Sequence, residues 1–332
     1  RADFITMHTP LTDGTRGVVN AAACAQMKDG VYIINCARGG LVVEKDLKAA
    51  IESGKVAGAA LDVFEVEPAK ENDLFAMDKV IFTPHLGAST NEAQVNVAVQ
   101  VAEQMADYLL DGAVTNALNM ASVSAEDAPR LRPYMKLAAD LGGFAGQLTE
   151  TGIKKVMIEY EGDVAQLNVR PLTAAVLESL LRPLMDSVNM VNAPSIAKER
   201  NIEVAEVKHD REGDYHTLIR LRVTTEKQTR GVAGTLFAIG GARIVQVKGI
   251  NIEAQLTENM IFVINEDAPG FIGNLGTILG SAGLNIATFN LGREAEGKEA
   301  IALVAIDGAV PQEVLGQIRS LPHVQQVKYL KF

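Results

Sequence analysis

The chain has 332 residues, of which 48% are hydrophobic and 22% charged, and its formal net charge is −10. That length accommodates two or three domains with separate cores. The acidic balance, with no Lys/Arg run interleaved with aromatics, argues against a nucleic-acid partner. No apolar stretch approaches the ~20 residues of a membrane span. Cys24 and Cys36 are the two cysteines. They have no metal-ligand neighbours in sequence, so a reducing compartment, the cytoplasm, is expected.

Residues 1–90 alternate between two patterns. DFITMHTP, VYIINCARGG, VAGAALDVF and VIFTPHLG read as buried strands. Helical periodicity lies between them, clearest in VEKDLKAAIESGK. Buried strands alternating with helices predict a parallel α/β sheet. Such sheets place ligands beyond the carboxyl ends of their strands. His8, Arg38, Glu67 and His85 each follow a strand-like run, so they are expected along one rim.

Residues 91–121 read as a helix and a return segment. Ser89 and Glu92 have capping-box spacing, and Val95, Val99, Ala102, Ala106 and Leu109 form an apolar stripe at helical period. VTNALNM is expected as a strand, and ASVSAEDAP as the domain boundary. Residues 122–256 read as an α+β domain. LRPYMKLAADLGGFAGQL and RPLTAAVLESLLRPLMDSV are its helices, and IKKVMIEYEGD and YHTLIRLRVTT are half-buried strands. In the last of these Ile219, Leu221 and Val223 share one face. Arg220 and Arg222 share the other, as a solvated face or an anion site. Residues 258–332 order as βαββαβ, the ferredoxin-like arrangement.

The dinucleotide fingerprint G-x-G-x-x-G after a first strand is absent from this sequence. The opening RADFITMHTP reads as the interior of a fold, so the chain is expected to begin midway through its first domain.

Arg38, Glu67 and His85 suit interconversion of a 2-hydroxy acid and a 2-keto acid. A guanidinium fork holds the substrate carboxylate and carbonyl oxygen. An imidazole takes the hydroxyl proton, and a neighbouring carboxylate fixes its tautomer. The hydride has to go to a nicotinamide, since no side chain accepts one. Each residue also has a plainer reading. Arg38 is a loop residue held by carbonyls, Glu67 a solvated turn acid, and His85 a hydrogen-bonded strand end. Asp62 is an acid bonding its neighbours' amides.

HTPLTDGTRGVVN, INCARGGLVVEKDL, GAALDVFEVEP and FTPHLGAST resemble successive blocks of the D-2-hydroxyacid dehydrogenase family. With the C-terminal region, the chain resembles the long, serine-regulated branch, which carries an intervening domain and a terminal ACT domain. The resemblance implies the carboxyl-terminal part of a Rossmann NAD-binding domain over 1–90. The segment 91–121 then leads toward a substrate-binding domain, followed by the intervening domain at 122–256 and the ACT domain at 258–332. It implies NAD-dependent oxidation of 3-phospho-D-glycerate to 3-phosphohydroxypyruvate, the first step of serine synthesis, in a homotetramer. Arg38, Glu67 and His85 are then the catalytic set. NAD contacts fall on Thr9, Cys36, Ala37, Arg38, Asp62, His85, Leu86, Gly87 and Ala88, with Asp62 on the nicotinamide amide. Val43, where the family often has an acid, is taken as a surface change. The alternatives are a glyoxylate or hydroxypyruvate reductase, or a fragment that only binds an amino acid and oligomerises.

In NEDAPGFIGNLGTILGSAGLNIA, Asp267 is placed at a helix N-cap and Pro269 in the first turn. Helix N–H groups and an acid would meet the two charged ends of an amino acid. The plainer reading is an ordinary capped helix. By the resemblance, Asp267 and Asn285 bind L-serine, with Asn265 beside them. Arg243 is the candidate for an anion site in the intervening domain.

Overall fold

Short β-branched runs build the first sheet. Strands β1 (Phe4–Met7), β2 (Val31–Asn35), β3 (Val56–Leu61) and β4 (Val80–Phe82) pair in parallel in the order β1-β2-β3-β4. The computed structural model describes residues 1–210, 213–237 and 241–332. It divides into two units, 1–103 and 104–332. In the first, α1 (Ala21–Gln26) connects β1 to β2, and α2 (Glu44–Glu52) connects β2 to β3. Leu47 and Ile51 bury the apolar stripe of α2 against Val31, Ile33 and Val56. Asp46, in the first turn of α2, accepts from Ala21 N at 2.8 Å and so ties α1 to α2. Val43 is the partly buried N-cap of α2, with its amide on Val19 O at 2.8 Å, so it is not a surface position.

Helix α3 (Asn91–Asp111) has no buried residue, and Val95, Val99 and Leu109 of its apolar stripe are exposed. Its cap also differs from expectation. Thr90 Oγ1, not Ser89, accepts from the helix, at Ala93 N and 3.1 Å. The run 114–120 makes no strand. Val114 forms only an isolated bridge with Val123.

The second unit contains two antiparallel-rich sheets. Helix α4 (Ala128–Gln147) leads to β5 (Ile153–Gly162), then α5 (Arg170–Leu181), α6 (Ala193–Glu199) and β6 (Glu203–His209). Pro183 explains why α5 is shorter than the apolar pattern, since proline ends the hydrogen-bond ladder and disfavours helix in the residue before it. Strands β7 (Thr217–Thr225), β8 (Thr229–Phe237), β9 (Gly241–Val247) and β10 (Ile250–Ala254) complete a six-stranded sheet, β10-β9-β8-β7-β5-β6. Helices α4 and α5 cover one face, where Leu141, Phe144 and Val176 join Ile158, Ile219 and Leu221. On the other face Arg222 and Arg220 pair with Glu159, at 3.1 and 3.4 Å, so the two arginines are ion-paired and only partly exposed.

The remaining strands, β11 (Asn259–Glu266), β12 (Ile286–Arg293), β13 (Glu299–Ile306) and β14 (Val324–Lys331), pair in the order β12-β13-β11-β14. Helices α7 (Phe271–Ser281) and α8 (Gln312–Arg319) complete βαββαβ, the ferredoxin-like arrangement expected from the sequence. Ile261, Val263, Ala302 and Val304 face α7 and α8. Met260, Phe262, Leu303 and Ala305 face the core of α4. Both faces of this sheet are therefore covered. The rings of Phe144 and Phe262 meet edge to face, with centroids 5.7 Å apart.

Two helix glycines set how closely α4 and α5 approach. A Cβ at Gly142 would lie 2.4 Å from Val176 O, and one at Gly146 2.4 Å from Leu180 O. At Gly143 the nearest group, the Phe332 ring, is 3.8 Å away, an ordinary contact. Gly146→Ala is expected to destabilise this unit by about 1–3 kcal/mol through overpacking. Gly143→Ala is expected to be neutral or to stabilise by up to about 1 kcal/mol through helix propensity. Denaturant unfolding of the two variants checks the opposite signs.

Candidate active site

Parallel pairing sends the segments after β1, β2, β3 and β4 to one rim. Thr9 follows β1, with its neighbour His8 bonded through Nε2 to Thr6 Oγ1 at 3.0 Å. Cys36, Ala37 and Arg38 follow β2, Asp62 follows β3, and His85, Leu86, Gly87 and Ala88 follow β4. Every residue assigned to catalysis or cofactor in this unit stands on that rim, except Glu67, which reaches it from the loop beyond Asp62.

Glu67 and His85 meet. His85 Nδ1 lies 2.7 Å from Glu67 Oε2, and Phe64 N donates to Glu67 Oε1 at 2.9 Å. A carboxylate only accepts, so Nδ1 carries the hydrogen of this contact, and Nε2 is the ring nitrogen able to exchange a proton. The bond to His85 first, then that from Phe64, holds the Glu67 carboxyl below its ordinary range.

Asp62 is buried, and its carboxylate organises the histidine loop. Oδ1 accepts from Thr83 Oγ1 and, at 2.7 Å, from Leu86 N, and Oδ2 accepts from Gly87 N at 3.2 Å. The plainer reading has Asp62 bonding the amides of its chain neighbours; its donors lie instead on the distant segment after β4. Burial raises this carboxyl, but the bonds from Thr83, Leu86 and Gly87 outweigh it and leave it below the usual range. The clamp sits directly after His85, whose φ is 58°. A non-glycine residue holds that left-handed backbone only where its surroundings fix it.

Arg38 is exposed, with Nη1 on Ala37 O at 2.6 Å. No carboxylate pairs with it among the described residues, which leaves its charge for an anionic ligand. Two groups absent from the sequence reading shape this loop. Buried Asn35 accepts from Ala37 N at 3.1 Å and donates to Arg38 O at 2.9 Å. A Cβ on Gly39 would stand 1.7 Å from Phe64 O. The backbone beside Arg38 is thus pressed onto the segment whose amide holds Glu67. Thr83 is a third such group. A polar residue closing an apolar run was the available signal for Asn35 and Thr83.

In the second unit, the residues named for an amino-acid effector have separate partners. Asp267 Oδ2 binds Arg293 Nη1 at 2.7 Å and Gly297 N at 3.4 Å. Asn285 donates to Asp307 Oδ2 at 2.7 Å. Buried Asn265 donates to Glu266 O at 2.7 Å, and among the described residues its Oδ1 has no partner. The Arg293 bond, followed in size by a small opposing effect of burial, lowers the Asp267 carboxyl. Asp267 is not the N-cap of α7. Gly270 holds that position, with φ 96°, and Pro269 precedes the helix instead of opening its first turn. The chain turns through a left-handed residue there, so no side-chain oxygen reaches the first turn. Arg243 lies on β9, partly buried, with Nη1 on Ala242 O at 3.4 Å.

The parallel sheet and its rim match the model for the D-isomer specific 2-hydroxyacid dehydrogenase NAD binding domain over residues 1–87. The D-3-phosphoglycerate dehydrogenase intervening domain matches 130–248, and the ACT domain matches 259–323. The chain thus carries, in this order, regions matching a 2-hydroxyacid dehydrogenase NAD binding domain, a D-3-phosphoglycerate dehydrogenase intervening domain and an ACT domain. It is 40% identical to D-3-phosphoglycerate dehydrogenase of Bacillus subtilis over 99% of this chain and 63% of that protein. The Synechocystis enzyme of the same name is 40% identical over 99% and 60%, and that of Methanocaldococcus jannaschii 39% over 98% and 62%. The chain thus spans about three fifths of the length of these relatives. Among the described residues, no helix is long and apolar enough to cross a membrane.

Removing the Asp62 charge tests the clamp. A carboxyl with a depressed folded pKa gives stability that is full above its unfolded value of about 4. That stability is lost as pH falls through the folded value. Asp62→Asn is therefore expected to destabilise the first unit by about 1–3 kcal/mol at neutral pH. The gap to the parent should narrow below about pH 4. Urea unfolding at both pH values measures it.

Proposed function

We propose that the protein oxidises 3-phospho-D-glycerate to 3-phosphohydroxypyruvate with NAD. The observation that carries this reading is the His85 Nδ1–Glu67 Oε2 contact on the rim of an NAD-binding-domain fold. The names of the relatives support the substrate. Thr9, the loop from Cys36 to Arg38, Asp62 and the loop from His85 to Ala88 would hold the cofactor. Asp62 Oδ2 accepts a single long bond, which leaves it a lone pair for a carboxamide donor. Bound NAD supplies the hydride acceptor. Arg38 holds the substrate carboxylate and the oxygen that becomes the carbonyl. His85 Nε2 takes the hydroxyl proton as the C–H bond breaks, and Glu67 stabilises the resulting imidazolium.

The ACT domain supports regulation by an amino acid, and we assign L-serine, with Asp267, Asn285 and Asn265 as the binding residues. The acceptor Asn265 Oδ1, buried without a donor, fits a ligand carrying an ammonium group. A homo-oligomer, a tetramer by family resemblance, fits the exposed apolar residues of α3. The free thiols Cys24 and Cys36 fit the cytoplasm.

Turnover of 3-phospho-D-glycerate against unphosphorylated 2-hydroxy acids, with NAD, tests the reading. The phosphorylated acid should be preferred, and His85→Ala should lower kcat by about 100-fold or more. Preference for glyoxylate or hydroxypyruvate would make the protein a reductase of the same class. L-serine binding without any NAD-linked turnover would reduce it to an amino-acid-binding module.

A further inference from the structure

The carboxylate that serves His85 sits on a loop whose shape is set from a different element. Glu67 Oε1 takes its bond from Phe64 N, so the placing of Oε2 against His85 depends on the backbone at Phe64 and Glu65. Gly39 lies against the carbonyl of Phe64 from one side. Glu44, in the first turn of α2, grips from another. Its Oε1 accepts from Glu65 N at 2.7 Å, and its Oε2 accepts from Asn72 Nδ2 at 2.6 Å. Asn72 in turn takes the amide of Leu74 at 2.9 Å and starts the turn that leads into β4. One carboxylate thus ties both ends of the loop that presents Glu67. The positive end of α2 favours a charge at that position. A second tie, Lys48 Nζ to Asp73 Oδ2 at 2.8 Å, lies on the surface, with Asp73 81% exposed. It touches neither Glu65 nor Asn72.

We propose that Glu44 is a positioning residue for the Glu67–His85 pair, holding the loop 65–72 so that Glu67 Oε2 meets His85 Nδ1. The assignment rests on the dehydrogenase reading for its catalytic meaning, but its geometry is measurable without turnover. Glu44 touches no reacting atom and acts through Glu65 and Asn72.

The sign of one titration separates positioning from plain electrostatics. Removing the negative charge of Glu44 acts through space to lower the pKa of another carboxyl nearby. Loosening the loop does the reverse, because Glu67 loses the His85 bond that keeps it low. The experiment follows the side-chain carboxyl of Glu67 by carbon NMR across an acid titration of the 332-residue protein. In Glu44→Ala the midpoint should rise by about half a unit or more toward the ordinary glutamate value. In Glu44→Gln, whose amide oxygen keeps the Glu65 bond and loses the Asn72 one, it should rise part of the way. Lys48→Ala should leave it in place. A Glu67 midpoint that falls or stays fixed in folded Glu44→Ala overturns the proposal. Should that variant not fold, the same result in Glu44→Gln overturns it. The expected rise in a protein without dehydrogenase turnover would overturn the functional reading and leave the positioning role standing.

Discussion

A buried carboxylate needs hydrogen-bond donors on both of its oxygens. Asp62 meets that condition with the hydroxyl of Thr83 and the amides of Leu86 and Gly87. Those three donors all come from the segment after β4, while Asp62 itself follows β3. The bond set therefore closes the gap between two neighbouring strand ends and forces the residue between them, His85, into a left-handed turn. That closure holds the backbone of His85 while the bond to Glu67 holds its ring. The rim that carries Glu67 and His85 is thus built outward from the buried carboxylate of Asp62.

Much of this was legible in the sequence because it is local. Four apolar runs followed by His8, Arg38, Glu67 and His85 carry strand and rim together, since parallel pairing leaves the carboxyl ends no other side to face. The βαββαβ order of the last segment followed from the same period counting. What stayed hidden depends on partners distant in the chain. Asn35 and Thr83 look like ordinary polar strand ends until their acceptors and donors are seen. Gly39 looks like half of a flexible Gly-Gly pair, yet its lack of a Cβ is what admits Phe64 O. Asp267 looked like a helix cap because Pro269 follows it, but the backbone turns at Gly270 and the carboxylate goes to Arg293.

The long apolar runs of β11 and β13 make a related point. A strand with one wet face alternates, whereas MIFVIN and AIALVAI do not. Continuous runs are common in parallel sheets because helices cover both sides. Here the strands are antiparallel, and the second cover comes from the core of α4 instead of from the sheet's own helices. The opposite case is α3, whose apolar stripe lies exposed.

A sheet clad on both sides has no slack. Phe262 stands on the inner face of β11 with its ring against Phe144 of α4, and α4 in turn rides on α5 through glycines that allow no added atom. Close-packed interiors transmit displacement and do not absorb it. The ring contact joins β11 to α4 and the glycines join α4 to α5, so close packing runs unbroken from the last sheet to the second helix of the neighbouring layer.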